Sequence, residues 1–119
     1  MAEEFKVQSS IFGDDNIQNM NKNVTENQKH ILNYLSAMCC GDYYTRNDLD
    51  IAQHEIITMC VILTLGVCDP QLKAHIRANL NVGNYKKTLL TASTQCMPYI
   101  GFPRIINELS LLNTLSPVD

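Results

Sequence analysis

The stretch from Asp50 to Gly83, DIAQHEIITMCVILTLGVCDPQLKAHIRANLNVG, constrains the fold most. It reads as two helices joined by a tight corner. Asp50 is placed to cap the first helix, with Gln53 where a capping-box partner would sit. Ile51, Ala52, Ile56, Ile57, Met59, Cys60, Val61, Ile62, Leu63 and Leu65 follow. A helix so apolar all round is expected to be buried on nearly every face. Gly66 ends it, and Asp69 and Pro70 restart the chain as cap and first helical residue. Leu72, Ile76 and Leu80 make an inward stripe on the second helix, and His75 and Asn79 share it. One carboxylate, Glu55, therefore opens the apolar helix, and one imidazole, His75, faces inward from the next.

No part of the chain alternates with period two, so the expectation is an all-α fold of five or six helices. With 119 residues the chain makes one domain. A polar arm at residues 1–22 precedes a helical domain at 23–119. In the arm, Ile11, Phe12 and Ile17 can dock as a short helical turn, and the first few residues are expected to be loose. The next helix is expected from Thr25 to Cys40. Thr25 and Gln28 form its capping box, Ile31, Leu32, Leu35, Met38 and Cys39 its stripe, and Gly41 its stop. After Gly83, Asn84 is placed to cap a helix from Tyr85 to Pro98. Its stripe is Leu89, Leu90, Ser93, Cys96, Met97 and Ile100, and Pro98 should kink or end it. Gly101 breaks the chain, and Pro103 starts a last helix carrying Ile105, Ile106, Leu109, Leu112 and Leu115.

Composition removes several function classes. The net charge of −3 and the lack of a basic cluster argue against nucleic acid as partner. The longest apolar run is too short to span a bilayer, and no export signal is visible, so no membrane partner and a cytoplasmic location are expected. The five cysteines are odd in number, contain no CxxC and suit reduced core positions. The three histidines are far apart, and HEIIT lacks the second histidine of HExxH, so no metal site is expected.

Two stretches resemble the carboxymuconolactone decarboxylase family. CGDYYTRNDLDIAQHEII matches the segment that opens its core: Gly, then Arg, then Leu-Asp, then Glu. PQLKAHIRANLNVGNYKKTLLTASTQCMPYIGFPRIINEL matches through Leu-Lys-Ala-His-Ile-Arg, a Leu-Asn-x-Gly turn and a Tyr-x-Gly-Phe-Pro corner. IFGDD is similar to the family's start. The resemblance is strongest over residues 40–113. It implies the alkylhydroperoxidase D-like helical fold, assembled as a homotrimer or homohexamer with sites near subunit contacts. The decarboxylase of that family converts 4-carboxymuconolactone to an enol-lactone and carbon dioxide without a cofactor. Its peroxidase branch uses CxxC, with His following and Glu upstream.

The resemblance implies catalytic roles for His75, as proton donor, and Glu55, which orients it. The residues alone also allow a satisfied core histidine, and a carboxylate that merely suits the positive end of a helix. Arg46, Arg77 and His54 are candidate binders of a small anionic substrate. Arg46 can equally pair with Asp48 or Asp50, and Arg77 with a surface carboxylate. His54 stands where many family members carry Arg before Glu. Cys68 stands at the first cysteine of the peroxidase pattern, but Gln71 occupies the second, so an intramolecular disulfide has no second sulfur there. Three functions are therefore in view: a cofactor-free decarboxylase or related lyase, a peroxiredoxin-type protein using Cys68, and an inactive binding member of the family.

Overall fold

The computed structural model describes residues 3–46 and 48–118, which form two compact units, Met1–Asp50 and Ile51–Asp119. Among the described residues every regular element is helical. Among the described residues there are seven α-helices, because the N-terminal arm contributes two that sequence periodicity does not reveal.

In the first unit α1 (Glu3–Phe12) and α2 (Asp14–Lys22) are joined at Gly13, whose φ of +88° suits glycine. The chain is thus helical from Glu3, and residues 1 and 2 of the expected loose start lie outside the described residues. Ile11 and Ile17 are buried and Phe12 is half-buried. A 3₁₀ turn (Glu26–Gln28) leads into α3 (Lys29–Tyr34), which continues as a π-helix over Leu35–Tyr43. Thr25 occupies the cap position of the 3₁₀ turn, but no side-chain cap bond forms there, and its hydroxyl meets Asn27 Oδ1 instead. Gly41 does not stop this helix. It lies inside the π-helix where α1 approaches, and a Cβ there would stand 3.1 Å from Cβ of Glu4. The wider π turn is closed by Tyr44 N–H to Cys39 C=O at 3.0 Å, and the expected stripe is not the buried one. Ile31, Leu35 and Met38 are exposed, whereas Cys40 and Tyr44 are buried.

The second unit holds α4 (Ile51–Leu65), α5 (Asp69–Asn81), α6 (Lys86–Ile100) and α7 (Phe102–Leu115). Its core joins Met59 and Leu63 of α4, Leu72 and Ile76 of α5, Leu89 of α6, and Ile105 and Leu112 of α7. The α4 and α5 boundaries match the sequence pattern, except that Cys68, not Asp69, is the cap residue of α5.

Within the single chain α4 is buried along one side. The stripe Glu55, Met59 and Leu63 is buried, while Ile57, Val61 and Leu65 are 50%, 53% and 65% exposed. α5, α6 and α7 cover one side of α4. The corner after it holds two successive residues of positive φ, Gly66 at 71° and the fully exposed Val67 at 56°.

Pro98 does not end α6. Proline's fixed φ is helical, and so near the end its missing N–H costs only one late bond. The helix stops at Gly101, φ +82°, whose N–H bonds Met97 C=O at 3.0 Å. On α7 the inward stripe is Ile105, Glu108 and Leu112; Ile106 is exposed. No helix among the described residues is long and apolar enough to cross a membrane.

Candidate functional site

α4 and α5 bring Glu55 and His75 into direct contact. The Glu55 side chain is wholly buried, and its Oε1 meets His75 Nδ1. His75 lies one turn along α5 from both Leu72 and Asn79, on the inward stripe, with 16% of its side chain still exposed. A carboxylate accepting from Nδ1–H orients the ring and turns Nε2 away from Glu55. The pair thus joins a water-excluded anchor to a partly accessible imidazole, the arrangement proton transfer needs.

Two asparagines back this pair. Asn79, fully buried, donates from Nδ2 to Glu55 C=O at 3.1 Å and to His75 C=O at 2.7 Å. Asn84 donates from Nδ2 to Asn79 Oδ1 at 2.8 Å and to Ala52 C=O at 2.9 Å. Asn84 is therefore not the cap of α6, where Tyr85 holds the cap position; its side chain turns back to α4 and α5. The sequence pattern places Asn79 on the right stripe, but a bond from a turn residue back to α4 carries no periodic signal.

The other candidate residues are spread out. His54 is half-buried on α4, and its C=O accepts from the Thr58 hydroxyl at 2.9 Å. Arg77 is exposed on α5. Arg46 lies in the first unit with Nε 3.9 Å from Asp48 Oδ2, the structural pairing of its two readings. Cys68 is half-buried, its thiol donating to Gly66 C=O at 3.1 Å. None of the five cysteines is in a disulfide. Among the described residues no group of three or more His, Cys, Asp or Glu side chains is placed to hold a metal ion.

Sequence reasoning passed over one acid. Glu108 of α7 is fully buried, and its Oε1 meets the Ser93 hydroxyl of α6. That hydroxyl also lies 2.9 Å from Leu89 C=O. The Ser93 hydroxyl is therefore shared between the Glu108 carboxyl and Leu89 C=O. Burial pushes the Glu108 carboxyl above its ordinary value, against the opposing pull of the Ser93 bond. The nearby Cys60 thiol is pushed up to about 12, first by burial, then by Cys96 beside it, then by Glu108. The available signal was spacing, since Glu108 falls three residues after Ile105 and four before Leu112.

The model of the carboxymuconolactone decarboxylase family matches residues 30–113. A 4-carboxymuconolactone decarboxylase from Acinetobacter baylyi is 26% identical over 98 residues, which span 82% of this chain and 72% of that protein. The matched region includes α4, α5 and the Glu55–His75 pair. The chain belongs to the carboxymuconolactone decarboxylase family.

Proposed function

We propose that this chain is a cofactor-free lyase that decarboxylates a small anionic lactone or carboxylic acid. The observation that carries the reading is the contact of buried Glu55 with partly exposed His75. Loss of carbon dioxide leaves an electron pair on carbon, which a neighbouring lactone carbonyl can delocalise. A proton must then be delivered to that carbon. His75 delivers it from Nε2, while Glu55 keeps Nδ1–H and stabilises the ring in the donating geometry. The exposed edge of His75 lets the ring regain its proton from water. The name of the Acinetobacter relative and the family match support this class of reaction.

The acting form in this reading is a homotrimer or homohexamer. Ile57, Val61 and Leu65 form an exposed apolar stripe along α4, suited to a second copy. Arg77 points roughly 200° around α5 from His75, so it binds a substrate carboxylate in a neighbouring copy's site or none. His54, on the adjoining face of α4, is the second substrate-binding residue.

The test is carbon dioxide release from a panel of lactone and keto acids, including 4-carboxymuconolactone. His75→Gln keeps a donor and an acceptor at similar volume. Turnover should fall about 10²–10⁴-fold with the helical fold intact. Undiminished turnover in folded His75→Gln removes His75 from the reaction, and no wild-type turnover on the panel removes the lyase reading.

A further inference from the structure

We infer that Asn79 and Asn84 form an amide clip that positions Glu55 against His75, and that Asn84 is a positioning residue of the reaction. This rests on the reading of Glu55 and His75 as the reacting pair.

The argument begins with a count of hydrogens. Each asparagine amide carries two N–H donors and one acceptor oxygen. Asn79 spends its donors on Glu55 C=O and His75 C=O, and its Oδ1 accepts from Asn84. Asn84 spends its donors on that oxygen and on Ala52 C=O. All four side-chain N–H groups meet carbonyl oxygens. Turning either amide over would set oxygen against oxygen, so the network has one orientation. The backbone N–H of Asn84 also bonds Asn79 C=O at 2.9 Å, tying the two residues together a second time.

The placement of these bonds gives them a role. Ala52 C=O and Glu55 C=O are one turn apart on α4, so the clip grips that helix at the turn that carries Glu55. His75 C=O lies one turn before Asn79 on α5. The same amide that holds the Glu55 backbone therefore holds the backbone of its partner. Helix packing through Met59, Leu63, Leu72 and Ile76 resists separation of α4 from α5 but resists sliding less, because apolar contacts have no direction. Directed hydrogen bonds between amides fix the register. A proton donor displaced by about 1 Å can lose on the order of 10²-fold in rate.

The experiment follows the Nδ1–H proton of His75 by nuclear magnetic resonance. Glu55→Gln supplies the reference for an unanchored ring. In wild type this proton should exchange slowly with water, and the side-chain amide of Asn79 should be equally protected. Asn84→Ala removes two donors, and Asn84→Asp replaces them with an acceptor of the same shape. Either variant, with wild-type helical content, should exchange its His75 Nδ1–H at least about tenfold faster. On any substrate the wild type turns over, kcat should drop about tenfold with KM within about twofold. Wild-type exchange in either folded variant overturns the inference. So does a freely exchanging Asn79 amide in the wild type, a measurement that needs no variant. Both exchange readouts hold whether or not the substrate panel gives turnover, so the clip and the lyase reading fail separately.

Discussion

Glu108→Gln is expected to make the protein more stable at neutral pH than the wild type and to flatten its pH dependence. Among the described residues Glu108 has no cation beside it; Ser93 is its hydrogen-bond partner, and its second oxygen, Oε2, is buried without one. Its acid is raised above the ordinary 4.5 by burial. Folded protein therefore holds the proton at pH values where the unfolded chain has released it. The sign follows from that difference. The stability this proton confers is fully present below 4.5, falls as pH rises, and is gone once pH passes the folded value. The limiting slope is about 1.4 kcal/mol per pH unit. As pH rises from 4.5 towards the folded value the wild type should lose stability from this group, and its Tm should fall with it. Glutamine keeps a donor for Ser93 Oγ and cannot ionise, so its own curve lacks this component. Melts of both proteins from pH 4 to 7.5, at one protein concentration, give the difference curve, in which all other titrations cancel. A difference that stays constant across that range refutes the argument. So does a difference that favours wild type as pH rises, which would mean that ionised Glu108 has a partner.

Three further outcomes follow from the same structure. Glu55→Gln should cut decarboxylation at least about tenfold, since a neutral amide holds His75 Nδ1–H less firmly than a carboxylate does; full activity counts against the pair. Peroxide reduction with a dithiol donor should be absent, because Gln71 stands in place of the second sulfur; turnover that vanishes in Cys68→Ser would establish the redox reading instead. Light scattering at micromolar concentration should give a trimer or a multiple of it, and Val61→Asp on the exposed stripe of α4 should dissociate it; a monodisperse wild-type monomer rules out a site shared between copies.

The most legible part of the sequence was α4, α5 and the pair they present. Both helices are bounded by residues whose backbone preferences act locally, Gly66 and Pro70 above all, and Glu55 and His75 fall at helical spacing from buried neighbours. Legibility failed where structure departs from that period or depends on distant contact. The 3.6-residue period puts Ile31, Leu35 and Met38 on one inward stripe, but all three are exposed, and from Leu35 to Tyr43 the chain is a π-helix that does not follow that period. Gly41 looked like a stop because glycine often is one; here it is the residue small enough for α1 to approach. α2 is rich in Asn and Asp, and α1 and α2 together bury only Gln8, Ile11 and Ile17, too few to make a periodic signal. Asn84 and Glu108 were misread or passed over for one reason. A polar side chain is normally assigned to solvent or to its own backbone, and only the fold shows that it reaches another helix.

The corner between α4 and α5 has a consequence for how this chain can change. Val67 is β-branched, fully exposed and held at a φ of 56°, a region that such residues rarely occupy. Its conformation costs on the order of 1 kcal/mol or more, and a side chain standing in water recovers none of it by burial. Asparagine accepts the same backbone geometry at lower cost. Position 67 is thus a reserve of unspent stability, separate from the residues that bond Glu55 and His75. Drift there toward asparagine would widen the margin against unfolding, and with it the range of substitutions near the pair that the fold can absorb.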